Sequence, residues 1–316
     1  MSDDRMTVGM VGVSHFGGRR RQLMRKSGLF NLAACCDRNA EFLRRACEEE
    51  GATGYDEFAA MLQHPGLDGI VISTGADSHA RFAIDAMRAG LHVFVEKPLC
   101  TSVQEIRELQ DVPRETGRVL GMGHNDNATD PTCRLVNAYL ESGRIGTLAC
   151  YEENSSHSGG LCIKPGDWRG KAEANPGGML FQCGVHSLHR ICHLFGPVAE
   201  LQAMMRYDAH SGTETADVAN VLLRHETGLV GTMNCYHVTA YIHELRLFGT
   251  AGNLYIDHHG GKAWYQQRRQ NEVEQAEPIE FPQRESGGEW SNLANWCKAA
   301  REGGEPRPGL DDGINA

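Results

Sequence analysis

Five short apolar runs, each set off by a segment of helical spacing, constrain the first half of this chain more than any other feature. The runs cover residues 7–13 (TVGMVGV), 32–36, 69–74 (GIVIST), 91–95 and 119–123. They are β-rich and too short for helices, so they read as buried strands. The intervening segments, 19–26, 40–50, 55–63, 79–89 and 103–115, mix polar and apolar residues at helical spacing. In 79–89 the apolar Phe82, Ala83, Ala86 and Met87 recur on one face, and Gly90 supplies a C-terminal stop. Strand, helix, strand in this order gives right-handed crossovers and a doubly wound parallel sheet covered on both faces.

The first run leads into Gly12-Val13-Ser14-His15-Phe16-Gly17, a G-x-S-x-x-G variant of the dinucleotide-binding loop. Gly12 allows a tight turn, and Gly17 lets the next helix pack close to the sheet. The start of that helix offers backbone N–H groups to a pyrophosphate. Ser14 puts a Cβ and a hydroxyl where the middle glycine of the pattern stands. Asp37 ends the second run, about 20 residues further on, where a carboxylate accepts from ribose hydroxyls and repels a 2′-phosphate. Arg38 beside it has the opposite chemistry, able to stack on adenine or pair with that phosphate. The balance favours NAD over NADP. Arg19, Arg20 and Arg21 open the following helix, where cations oppose its dipole, and at least two of them are expected on a solvated basic face.

Residues 91–98 read LHVFVEKP, so an apolar strand ends abruptly in Glu96-Lys97-Pro98. Open α/β sheets bind ligands outside the carboxyl ends of their strands, which places Lys97 at the mouth of a cofactor crevice. The competing reading is an ion pair between Lys97 and Glu96 or another carboxylate.

The second half changes character. Residues 148–153, 198–207, 218–224, 229–236 and 244–248 look like longer strands, several of them alternating polar and apolar, with Glu226-Thr227-Gly228 as a hairpin turn. They predict a large open, mostly antiparallel sheet with one exposed face, a candidate surface for a homodimer or homotetramer. One helix, 180–194, interrupts them and carries His186, His189 and His193 at i, i+3 and i+7. A metal site is weighed there and set aside, because the spacing is not that of zinc helices.

A chain of 316 residues is expected to form two domains, set here at 1–123 and 124–316. The net charge of −10 argues against nucleic-acid and anionic-membrane partners. The first ten residues are partly acidic and lack an apolar core, no run is long and apolar enough to span a bilayer, and the 11 cysteines sit in apolar stretches. A cytoplasmic protein with reduced core thiols is expected.

The combination of Gly12…Gly17, Asp37, Glu96-Lys97-Pro98 and Gly177-Gly178-x3-Gln182-x-Gly184-x-His186 resembles the Gfo/Idh/MocA family of NAD(P)-dependent sugar and polyol oxidoreductases. Ser78-His79, the SGRIG stretch at 142–146 and Trp168-Arg169 agree as well. The resemblance implies an N-terminal Rossmann domain and a C-terminal α/β domain on the open sheet. It implies a cofactor set of Gly12, Ser14, His15, Phe16, Gly17, Asp37, Arg38, Thr74, His79, Glu96, Lys97, Trp168 and Arg169. Lys97 is implied to contact the substrate hydroxyl and His186 to act as general base, a role that suits an imidazole. Many relatives carry Asp four residues before that histidine. Gln182 stands there in this chain, able to hydrogen-bond a hydroxyl and unable to take a proton. His124, Asn125 and Asn127 replace the aromatic residue and arginine common in relatives, and are expected to line a site for a small polyhydroxylated substrate. The chain closes at Ala316, ahead of the final helix common in the family.

Three functions remain open on these residues. The first is NAD-dependent oxidation of a secondary alcohol of a sugar, polyol or cyclic polyol. The second is glycoside hydrolysis or elimination through transient oxidation. The third is a non-catalytic NAD- or sugar-binding relative.

Overall fold

The computed structural model describes residues 4–210, 212–269, 274–284 and 288–316, so residues 1–3 of the N-terminal stretch read above lie outside it. Two compact units form. Residues 1–126 with 286–314 make the first, and residues 127–285 with 315–316 the second. The first break falls three residues beyond the expected 123/124, and the last stretch returns to unit 1 rather than staying with the second half.

Unit 1 is a six-stranded, wholly parallel sheet. Its strands are β1 (Met6–Val11), β2 (Phe30–Cys36), β3 (Thr53–Tyr55), β4 (Gly69–Ile72), β5 (His92–Val95) and β6 (Leu120–Met122), in the order β3-β2-β1-β4-β5-β6. The helices are α1 (Phe16–Ser27), α2 (Ala40–Glu50), α3 (Phe58–Met61), α4 (His79–Arg88), α5 (Val103–Leu109) and α6 (Val112–Thr116). The expected helix over 55–63 is thus a short strand and a single turn, and the one over 103–115 is two helices. Successive strand residues feed opposite faces. Ile70, Ile72, Val93 and Val95 join one core, whereas Val71 and Phe94 join the other. That second core includes Trp296, which stacks on Phe30 with ring centroids 5.7 Å apart. A Cβ on Gly121 would come within 2.9 Å of the Trp296 side chain, so the glycine lets the indole lie flat on the sheet.

Unit 2 is an eight-stranded sheet. Its strands are β7 (Leu148–Ser156), β8 (Val198–Arg206), β9 (Val218–His225), β10 (Val230–Tyr236), β11 (Ile242–Gly249), β12 (Gly252–Asp257), β13 (Lys262–Gln267) and β14 (Glu277–Ile279). The order is β14-β13-β12-β11-β7-β10-β9-β8, and only β7 and β10 run parallel. The turn expected at 226–228 joins β9 to β10, with Gly228 in the left-handed region at φ 85°. Helices α7 (Pro131–Glu141) and α8 (Val185–Phe195) bury Leu135, Val136 and Ile191 in the same core as Val221, Met233 and Leu245 of the sheet. The other sheet face leaves Leu222 and Val230 exposed, and the edge strand β8 exposes Leu201 and Met204 as well. Asp130 caps α7 by accepting from the Thr132 and Cys133 amides, and Pro131 takes its first turn. Two further helices, α9 (Ser291–Glu302) and α10 (Leu310–Asn315), follow β14, so the single helix expected in this half is one of several.

Candidate functional site

In unit 1 the candidate residues gather at the carboxyl edge of the parallel sheet. Gly12, Asp37, Thr74 and Lys97 follow the ends of β1, β2, β4 and β5. Gly12 sits at φ 79°, and a Cβ there would strike the Ser73 carbonyl. A Cβ on Gly17 would strike the Gly12 carbonyl, so the loop and α1 close on each other only with glycine at both positions. His15 precedes α1 at φ 46°, a left-handed conformation that costs a non-glycine residue energy, and its side chain makes no capping bond. The first turn of α1 holds no acidic residue. Asp37 braces this loop: Oδ2 accepts from the Val13 amide at 3.0 Å and Oδ1 from the Asn39 amide at 2.9 Å.

The expected basic face on α1 does not form. Arg20 and Arg21 are buried, and only Arg19 is exposed. Arg21 bridges Glu49 and Glu50 of α2 at 2.9 and 2.8 Å. Arg20 donates from Nε to Glu96 Oε1 at 2.7 Å, and its Nη2 donates to the same oxygen. Its guanidinium lies 4.9 Å from the centre of the Phe94 ring. Nη1 reaches Asn292 Oδ1 at 3.4 Å, and Asn292 Nδ2 donates to the His124 carbonyl at 2.8 Å. Glu96, expected to touch the cofactor, is therefore a buried partner of Arg20 that anchors the chain immediately before Lys97. The His79 ring is also interior. Nδ1 lies 2.7 Å from the Pro98 carbonyl and Nε2 3.1 Å from that of Thr74, tying the end of β4 to the residue after Lys97. Burial pushes the His79 imidazole below its usual range, and in its neutral form it donates to only one of these two carbonyls at a time.

In unit 2 the histidine helix starts with a π-helical turn, Leu180–Gly184, that runs straight into α8. Such turns insert one extra residue per turn and concentrate at functional sites. Gln182 lies in this turn and His186 in the first turn of α8, both half-buried. Gly184 is fixed by packing, since a Cβ there would come within 2.8 Å of Cys235 Sγ and 3.0 Å of Met233 Cε on β10. The three spaced histidines part company: His189 is buried and His193 exposed. Asn127 Nδ2 lies 3.1 Å from His189 Nδ1 and 3.2 Å from its carbonyl. Asn127, expected to face substrate, instead holds this helix. Asn125 is exposed, whereas the His124 ring is fully buried. Among the described residues no three His, Cys, Asp or Glu side chains are placed to hold a metal ion.

A group of rings absent from the expectations collects at one end of four neighbouring strands. His157 follows β7, His237 follows β10, Tyr241 precedes β11, and His258 and His259 follow β12. Tyr241 stacks on His243 at 4.6 Å and lies 4.5 Å from His259, while His157 meets His237 edge-on at 5.2 Å. His157 Nδ1 accepts from the Gly159 amide, which leaves its Nε2–H directed at Cys183 Sγ, 3.4 Å away. Burial pushes the His237 and His243 imidazoles down to about 4, so both are uncharged at neutral pH. The run His237-x3-Tyr241-x-His243 and the pair His258-His259 carried this signal, but only the strand register brings them together.

Residues 6–124 match the model of an oxidoreductase family with an NAD-binding Rossmann fold, and residues 133–255 match the Gfo/Idh/MocA C-terminal domain. The chain belongs to the Gfo/Idh/MocA family. D-apiose dehydrogenase of Paraburkholderia graminis is 27% identical over 75% of this chain and 62% of its own length. Glycosyl hydrolase family 109 protein 2 of Akkermansia muciniphila is 30% identical over 63% of this chain and 42% of its own. The chain thus matches less than two thirds of either relative. Levoglucosan dehydrogenase in complex with NADH, 18% identical, shares the fold at a TM-score of 0.83 over 98% of this chain and 93% of that one.

Membership in Gfo/Idh/MocA gives unit 1 the NAD-binding Rossmann fold of that family. Six of the eleven cysteines are buried, Cys47, Cys150, Cys183 and Cys192 are half-buried and Cys162 is exposed, so the expectation of core thiols holds for only part of the set. Burial raises Cys35 to about 12 and Cys36 and Cys100 to about 11, which keeps them protonated and inert. Trp168 is exposed, and Arg169 is held by Asp167 at 2.7 Å, both within unit 2.

Proposed function

We propose that this protein oxidises a secondary alcohol of a sugar, polyol or cyclic polyol by transferring hydride to NAD. The observation that carries the reading is the set of Gly12, Asp37, Thr74 and Lys97 on successive strand ends of one parallel sheet, the edge at which such sheets bind ligands. In this reading His186 takes the hydroxyl proton as hydride leaves carbon, and Lys97 polarises the developing carbonyl oxygen. Gln182 hydrogen-bonds a substrate hydroxyl. The loop of unit 1 cradles the pyrophosphate and Asp37 receives the ribose hydroxyls, which favours NAD over NADP.

A second reading, glycoside cleavage through transient oxidation, is favoured by the likeness to a protein named as a glycosyl hydrolase and by Gln182 in place of an aspartate. One assay separates the two. Purified protein is mixed with NAD and either free sugars and inositols or an aryl glycoside. Oxidation predicts accumulating NADH with a free sugar or inositol. NAD-dependent release of the aryl group without net NADH would replace it with the second reading. Neither signal would leave a binding role.

A homodimer or homotetramer through the open face of the unit 2 sheet belongs to the same proposal, supported by exposed Met204, Leu222 and Val230. So does a cytoplasmic location, which fits the buried thiols of Cys35, Cys36 and Cys100. Among the described residues no helix is long and apolar enough to cross a membrane.

A further inference from the structure

We propose that Glu153 is a positioning residue for His186, holding the turn of α8 that carries the histidine through Ser187 and Arg190. The inference rests on the reading of His186 as the base. Glu153 lies on β7 in the middle of the sheet, in register with Met233 of β10 and Leu245 of β11, both fully buried. Its side chain is itself fully buried among these apolar neighbours. Oε1 accepts from Ser187 Oγ at 2.6 Å and from Arg190 Nη1 at 2.9 Å. Ser187 and Arg190 are three residues apart, so they share one helix face and the carboxylate grips a whole turn. His186 is the residue immediately before Ser187.

This helix needs such a grip. Its first turn continues directly from the π-helical turn through Gly184, which has no side chain to fix it. The π-helical turn ahead of it shifts the phase of the helix relative to an ordinary α-turn. The angular position of His186 is therefore set by the packing of Gly184 on β10 and by what holds the first turns of α8 to the sheet. A carboxylate and a guanidinium are costly in such an interior, where apolar residues of similar size would serve stability as well. What the ion pair adds is one defined geometry. The titratable and charged groups around Glu153 are Arg190 on α8, Asp130 at the start of α7, Tyr151 on its own strand, Cys235 on β10 and His258 after β12. Burial pushes the Glu153 carboxyl up from its ordinary value, against the pull of Arg190 and Ser187.

The test compares Glu153→Gln, the double variant Glu153→Leu with Arg190→Met, and His186→Ala. Readouts are thermal unfolding, NAD affinity, kcat and KM on whichever free sugar or inositol gives NADH, and NMR of histidines carrying 13C in the ring, with His186→Ala assigning the signal. The apolar double variant should fold and bind NAD like wild type. Its kcat should fall about tenfold to a hundredfold, the scale of an ångström misplacement, with KM within a few-fold. Its His186 resonance and apparent pKa should move. Glu153→Gln keeps an acceptor for Ser187 and should recover part of the loss. A folded double variant with wild-type kcat and an unmoved His186 signal would overturn the inference. The NMR arm decides even without turnover. If His186→Ala itself keeps full turnover, the base assignment fails instead, which a normal double variant alone would not imply.

Discussion

Both units hold a candidate catalytic residue beside a buried carboxylate–guanidinium pair, and they tie that residue to the pair differently. In unit 1, Glu96 precedes Lys97 and is gripped by Arg20 of α1, the helix that follows the dinucleotide loop. In unit 2, Glu153 comes from the sheet and grips Ser187 and Arg190 on the helix that carries His186. The parallel sheet is covered on both faces, whereas the antiparallel sheet leaves one face open. In both units the carboxylate comes from the sheet and the guanidinium from a helix; what differs is that Lys97 adjoins the carboxylate and His186 rides on the helix of the guanidinium. The lysine is tied through Glu96 to α1, the helix after the glycine loop, and the histidine through Ser187 and Arg190 to β7.

Breaking the pairs one partner at a time sharpens this comparison most. Arg20→Met leaves Glu96 as an uncompensated buried charge and should cost about 3–5 kcal/mol, read by denaturant unfolding. Arg190→Met should cost a similar amount through Glu153. The two should part in NAD affinity, weakened by Arg20→Met because α1 is disturbed, and unchanged in folded Arg190→Met. Equal loss of NAD affinity in both would erase the distinction drawn between the units.

A smaller effect concerns acid. The folded-state values of about 4 for His237 and His243 lie below the ordinary 6.5. Between these values the unfolded chain binds more protons than the folded one, so stability falls as pH falls from about 6.5 toward 4. His258 is pushed down as well, by burial first and then by Arg190. In unit 1 His79 is the fully buried counterpart, with His92 lowered while half-buried. Hydrogen exchange followed over this pH window should show protection lost from unit 2 before unit 1. Loss from unit 1 first would contradict the assignment.

Most of the fold of unit 1 was legible because a parallel sheet buried on both faces writes itself as short continuous apolar runs. The Arg19-Arg20-Arg21 run misled, since a triplet of arginines resembles a solvated face, and Glu96, the partner of Arg20, lies far along the chain. The return of α9 was hidden for the same reason: Trp296 has to meet Gly121 and Phe30, which no local pattern reveals. In unit 2 the strands β12 and β13 were missed although Leu254 and Ile256 alternate inward. Glu153 was in principle readable, because Tyr151 and Glu153 share the inward face while Glu152 is exposed. The ring group needed the register of four strands. The Glu96-Lys97-Pro98 and Gly184-x-His186 motifs were legible because each is compact in sequence.

In the proposed reaction Lys97 and His186 carry hydride-transfer chemistry on bound NAD. The most direct test measures NADH formation by wild type, Lys97→Ala and His186→Ala on the same sugar or inositol, with NAD binding followed by calorimetry. The account predicts that each substitution lowers turnover by about 10²–10⁴-fold, the usual contribution of a positioned acid or base, while NAD affinity stays near wild type. Undiminished turnover in Lys97→Ala would contradict it.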